Sequence, residues 1–142
     1  MTPCKPGVIW VFVLVIEGKV KDHSVPPLLV ACLCAQWCNV CEEYRSRFQQ
    51  VQAAVMLDHP QADFLWIDIE DEADLLHPLD VEDFPTLLIA LGDQPHFLGP
   101  LTPQAQTLER MIRTSVQETG HTGLKDPALQ ALVKRIRHQL LA

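Results

Sequence analysis

The chain has 142 residues, of which 48% are apolar and 20% charged, with a formal net charge of −7. That length is expected to form one domain that buries enough surface to fold without a disulfide framework. The acidic balance argues against nonspecific binding to nucleic acid or to anionic membranes.

In chain order, the first feature is the apolar run Val8–Ile16 within GVIWVFVLVIEGK. It is too short for a membrane helix, which takes about 20 residues. It also lacks the basic start and A-x-A site of a signal peptide. Its β-branched residues favour a buried strand over a targeting remnant. A polar connection, residues 17–27, ends in Pro26-Pro27. LLVACLCA (28–35) is a second unbroken apolar run, as expected of a strand buried on both faces.

From Cys38 the period becomes helical, with Tyr44, Phe48, Val51 and Val55 on one stripe. FLWIDI (64–69) is a third strand, and EDEADLLHP (70–78) a short acidic helix and solvated face stopped near Pro78. FPTLLIAL (84–91) and PHFLG (95–99) make a hairpin around Gly92-Asp93. Thr102-Pro103 reads as an N-cap and first helical residue, for a helix to about Glu118. Asp126-Pro127 repeats that signal for a last helix with the stripe Leu129, Leu132, Val133, Ile136 and Leu140. Lys134, Arg135 and Arg137 lie toward its C-terminal end, where the helix dipole favours cations. Strands alternate with helices and a hairpin closes the set, so the fold class is α/β with a mixed central sheet flanked by helices. The domain is expected to span 1–142, with a core over about 8–119 and a helical extension over about 124–142.

Four of the five cysteines, Cys32, Cys34, Cys38 and Cys41, fall within ten residues, and Cys4 stands apart with no assigned role. Clustered thiols in an acidic domain of ordinary size point to a reducing compartment and to thiol chemistry rather than a secreted scaffold. Cys38 falls where a buried strand passes into a helix. Free N–H groups and the positive dipole end stabilise a thiolate at such a place. Cys41 lies one turn further on, deeper and within reach of Cys38, so one sulfur attacks and the other resolves. Cys32 and Cys34 point to one face of their strand. They read as small buried hydrophobes, as auxiliary thiols able to rearrange a disulfide, or as half of a C-x-C-x3-C-x2-C metal site. The six histidines are scattered, with no pair at ligand spacing.

Trp37-Cys38-Asn39-Val40-Cys41 before an amphipathic helix, then FLWIDIEDE, then Phe84-Pro85-Thr86 with LGPLTPQAQ, resembles thioredoxin in order and spacing over residues 28–118. The resemblance implies the thioredoxin fold, here with an extra C-terminal helix. It implies thiol–disulfide exchange on protein substrates by a Cys38–Cys41 dithiol, with no metal or organic cofactor. It implies a cis Pro85 facing the cysteines, and a shallow groove lined by Trp37, Phe84, Pro85 and Gly99 where an extended substrate segment pairs with backbone.

Four departures stand out. Asn39-Val40 replaces the family's Gly-Pro between the cysteines. Cys32 replaces a buried aspartate, and Trp66 replaces its lysine partner. Glu42 and Glu43 follow the pair and oppose a nearby thiolate. The helix usual between the first two strands has no counterpart in residues 17–27, and the segment 127–141 is expected to cover that sheet face. The expected partners are protein disulfides or dithiols and an unidentified reductant, with no nucleic acid and no membrane. The expected state is a cytoplasmic monomer. A binding or chaperone module with weak or no redox activity is the other reading.

Overall fold

The structure, a computed structural model, describes residues 26–117 and 123–141. The expected strand over Val8–Ile16, and Cys4, lie outside those residues. Within them the order is β1 (Leu28–Cys34), α1 (Asn39–Met56), β2 (Asp63–Asp68), α2 (Ala73–Leu76), β3 (Thr86–Leu91), β4 (Gln94–Pro100), α3 (Ala105–Gln117) and α4 (Pro127–Ile136). The sheet runs β2-β1-β3-β4, with β1 parallel to β2 and antiparallel to β3, and β3 antiparallel to β4. This is the mixed sheet flanked by helices that the alternation of patterns predicts.

Every residue of β1 is buried. Its side chains alternate between two cores. Leu28, Val30, Cys32 and Cys34 join Tyr44, Phe48, Val51 and Val55 of α1 and Leu108 and Ile112 of α3. Leu29, Ala31 and Leu33 join Leu75 and Leu76 of α2 and Leu129, Leu132, Val133 and Ile136 of α4. An apolar strand in the middle of a sheet is stable only with a helical layer on each side. The C-terminal helix supplies much of the second layer, as expected of it.

Asp126 caps α4 through its side chain, which accepts from the N–H groups of Ala128 and Leu129. The stripe holds as far as Ile136. The chain then widens into a π turn over Arg137–Leu141, which shifts the helical phase, so Leu140 comes to the surface rather than continuing the stripe. The arginines do more than face a dipole. Arg137 donates from Nε to the Gly92 carbonyl (2.8 Å) and from a terminal nitrogen to the Pro27 carbonyl (3.0 Å). Arg135 donates to the carbonyls of Leu75 and His77. The last helix is thereby tied to the ends of the sheet and to α2.

The other boundary that differs is the start of α3. Thr102 and Pro103 do not open the helix, which begins at Ala105. The Leu101 N–H is committed to the Pro85 carbonyl, and the Pro103 carbonyl accepts from Arg47 (2.8 Å). These bonds hold 101–103 as a connection across the sheet end, and the Leu108 N–H bonds to Gln104.

Leu132 is 2% exposed within the second core. Leu132→Ala is expected to lower stability by about 2–5 kcal/mol through lost burial and the cavity left behind. Leu140→Ala, at the surface end of the same helix, is expected to change it by less than about 1 kcal/mol. Urea unfolding of the full chain measures both.

Candidate functional site: a sulfur cluster at the strand–helix junction

The site is built by the end of β1 and the start of α1. Cys38 is the N-cap residue of α1, in extended backbone conformation, and its side chain makes no capping hydrogen bond. The tight turn before it is closed by the Cys38 N–H donating to the Ala35 carbonyl (3.1 Å). The first-turn N–H groups of α1 are therefore left for whatever sits at the helix entrance. Cys38 is partly exposed and unbonded. Cys41, in the first turn, is 2% exposed, in keeping with its expected depth.

The disulfide differs from the expected Cys38–Cys41 pairing. Cys41 is bonded to Cys34, at the last position of β1, with a Cα–Cα distance of 5.8 Å, and Cys38 and Cys32 are free thiols. The cause lies in the packing. The last residue of β1 points to the side on which α1 lies, and the helix returns over the strand end after four residues. Cys34 and Cys41 thus meet inside the core at a separation normal for a disulfide. The pairing that short-range spacing favours gives way to one made by tertiary contact.

Cys32 and Cys34 share a face, as alternation requires, and their sulfurs are 3.7 Å apart. Cys34 has no S–H while it is in the disulfide, so Cys32 is the donor. Cys32 pairs across the sheet with Trp66 on one side and Leu87 on the other. Burial pushes its thiol up to about 12, partly offset by the Arg45 guanidinium. Beside it, the Tyr44 hydroxyl is buried without a hydrogen-bond partner among the described residues. Desolvation, then the neighbouring Cys32, raises its pKa as well. Among the described residues, no group of three or more His, Cys, Asp or Glu side chains is placed to hold a metal ion.

Of the residues expected to line a groove, Trp37 and Phe84 are in contact beside the helix entrance. Trp37 is 65% exposed, so it is no core residue. Its indole packs edge-on against Phe84 (5.6 Å between ring centres) and donates to Glu70 (3.3 Å). The Phe84–Pro85 peptide bond is cis, as is His77–Pro78. Cys38 and Phe84 both pack on the edge of the first core. Gly99 pairs with Leu87 one step into the hairpin and borders a depression with Thr86 and residues 79–83.

Sequence reasoning missed Glu70, which accepts from the Trp37 indole, because a place in an exposed acidic run carries no signal of that contact. It also missed Arg45, which stacks over Trp66 (4.6 Å) beside an open cleft of about 570 Å³ that reaches Cys41. Arg45 lies four residues after Cys41, on the same helical side, and that spacing was the available signal.

A thiol at a helix entrance, a buried disulfide behind it and an aromatic–proline shelf beside it define a thiol-bearing α/β domain. The family model for thioredoxin matches residues 17–114, and the chain belongs to the thioredoxin family. Among solved structures it is similar to a malarial protein, at 16% identity and TM-score 0.55, over 63% of this chain and 98% of that one. It is similar to the germline-specific thioredoxin Deadhead of Drosophila melanogaster, at 21% identity and TM-score 0.53, over 63% and 81%. It is also similar to chloroplastic thioredoxin z, at 22% identity and TM-score 0.52, over 66% and 81%. At these identities the likeness is one of fold. Comparison with curated proteins returns no match.

The raised Cys32 pKa has a consequence for stability. The folded chain keeps that proton where the unfolded chain releases it. The stabilisation is complete below about pH 9 and is lost as pH rises toward about 12. Cys32→Ala should flatten the decline of unfolding free energy over this window, followed by denaturant titration at a series of pH values. In the native chain iodoacetamide should modify Cys38 well before Cys32.

Proposed function

We propose that the protein is a thiol–disulfide oxidoreductase acting on protein substrates, with Cys38 as the attacking sulfur and Cys41 as the resolving one. The observation that carries this is the position of Cys38: N-cap of α1, unbonded and partly exposed, three residues before the buried Cys41. The Cys38 thiolate attacks a substrate disulfide, a mixed disulfide forms, and Cys41 displaces the substrate as its thiolate. An extended substrate segment lies against Trp37, Phe84, Pro85 and Gly99 and pairs with the backbone beside Pro85 as an added strand. No metal or organic cofactor takes part. Electrons come from a reductase or a small thiol, and the protein acts as a monomer in the cytoplasm, away from nucleic acid and membrane. No helix among the described residues is long and apolar enough to cross a membrane.

A second reading is supported by the disulfide itself. With Cys41 held by Cys34, it is not free to resolve a bond at Cys38 in that state, and position 32 is a cysteine rather than a carboxylate that could move a proton. A binding or chaperone module that keeps the groove and has weak or no redox activity fits those two facts.

Insulin reduction driven by a dithiol separates the readings. The wild-type chain is expected to accelerate it, and Cys38→Ser to remove the acceleration while the fold is retained. Cys41→Ser is expected to accumulate a mixed disulfide through Cys38. A wild-type rate equal to the uncatalysed one would favour the binding module.

A further inference from the structure

We propose that Cys34 is a third working thiol, which takes the disulfide from the Cys38–Cys41 pair into the core and so returns Cys38 to the free state. The inference rests on the exchange chemistry proposed above and adds a step to it.

Three observations carry it. Cys41 is shared: it lies one helical turn after Cys38 and is bonded to Cys34, so two disulfides compete for one sulfur. The sulfurs also differ in access. Cys34 and Cys41 are 1% and 2% exposed, and Cys38 is the unbonded, partly exposed one. Protein disulfides outside therefore meet Cys38 first. Finally, Cys32 donates its S–H toward the Cys34 sulfur at 3.7 Å, a contact that steadies Cys34 as a thiolate when its bond to Cys41 opens. Burial pushes the Cys32 thiol up, which suits it to the donor's part in this contact.

The step is an internal exchange. After a substrate has been reduced, the chain holds Cys38–Cys41. The Cys34 thiolate attacks the Cys41 sulfur, the Cys34–Cys41 bond forms, and the Cys38–Cys41 bond breaks. Cys38 leaves as a thiolate, and the proton lost from Cys34 balances any proton it takes up. One disulfide replaces another, so no electrons enter or leave and no outside oxidant or reductant is required. The reverse step presents the oxidising equivalent again at Cys38, with Cys34 as leaving group beside the Cys32 S–H.

The test follows the reduced full-length chain after addition of oxidised glutathione, with acid quenching, alkylation and peptide mass spectrometry at intervals. The expected order is Cys38–Cys41 first, then Cys34–Cys41 with Cys38 open to alkylation again. Cys34→Ala and Cys34→Ser should stop at Cys38–Cys41. Cys38→Ser should form Cys34–Cys41 at least about tenfold more slowly, because the external disulfide must then reach a buried sulfur. Circular dichroism verifies that the variants fold, and the order of events in the wild-type chain decides even if the Cys34 variants do not.

Two results would overturn the relay. One is a wild-type chain that holds only Cys38–Cys41 at every time. The other is Cys34–Cys41 forming equally fast with and without Cys38. Insulin reduction by Cys34→Ser tells which reading has failed. Turnover there together with either result removes the relay and leaves the oxidoreductase. Absence of turnover in both Cys34→Ser and the wild-type chain removes both, and makes Cys34–Cys41 a structural bond.

Discussion

The burial of β1 on both faces is the constraint on which the rest depends. From Leu28 to Ala35 no residue is more than 3% exposed. Full burial of a Leu or Val side chain contributes about 1.5–3 kcal/mol, so the strand is a large share of the stabilising apolar area. It also makes two demands. Its backbone must pair on both edges, with β2 and β3, and both faces must be roofed by helices. The first roof is α1 with α3. The second includes α4, clamped to the sheet ends by Arg135 and Arg137.

That central strand also determines where the sulfurs gather. It ends in sulfur at Cys34, and the N-cap of α1, four residues later, is sulfur again. Depth then sorts the four cysteines. Cys32 is enclosed and held as a thiol; Cys34 and Cys41 meet under the helix; Cys38 stays at the entrance. Where a buried carboxylate would need compensation, this chain places a thiol and a tyrosine hydroxyl, groups that stay neutral in the core. Arg45, whose charge acts on Cys32, is spread over the Trp66 ring at the cleft rather than sunk into the core.

The same junction explains how binding and exchange readings arise from one site. The Trp37–Phe84 shelf and the cis Phe84–Pro85 bond stand beside a free Cys38 while Cys34 and Cys41 are bonded. The partner of Cys41 decides whether a free thiol stands one turn after Cys38, and in this structure that partner is Cys34. Membership of the thioredoxin family sets the frame, and the extra sulfur on β1 sets what is particular to this chain.

By itself the sequence determined the elements whose signals are local. An unbroken apolar run marked β1, a four-residue stripe marked α1, and Asp126-Pro127 marked the start of α4, because periodicity and capping act within a turn or two of chain. It also placed Cys38 at the helix entrance, Cys41 deeper, and Cys32 with Cys34 on one face. Tertiary structure alone decided what depends on distant partners. It moved the start of α3 past Thr102 and Pro103, because their neighbourhood is committed to Pro85 and Arg47. It set the exposed Glu70 to accept a hydrogen bond from the Trp37 indole. It gave Cys41 to Cys34 rather than to Cys38, since spacing permits both pairings and only the packing of α1 over the end of β1 brings one pair of sulfurs together.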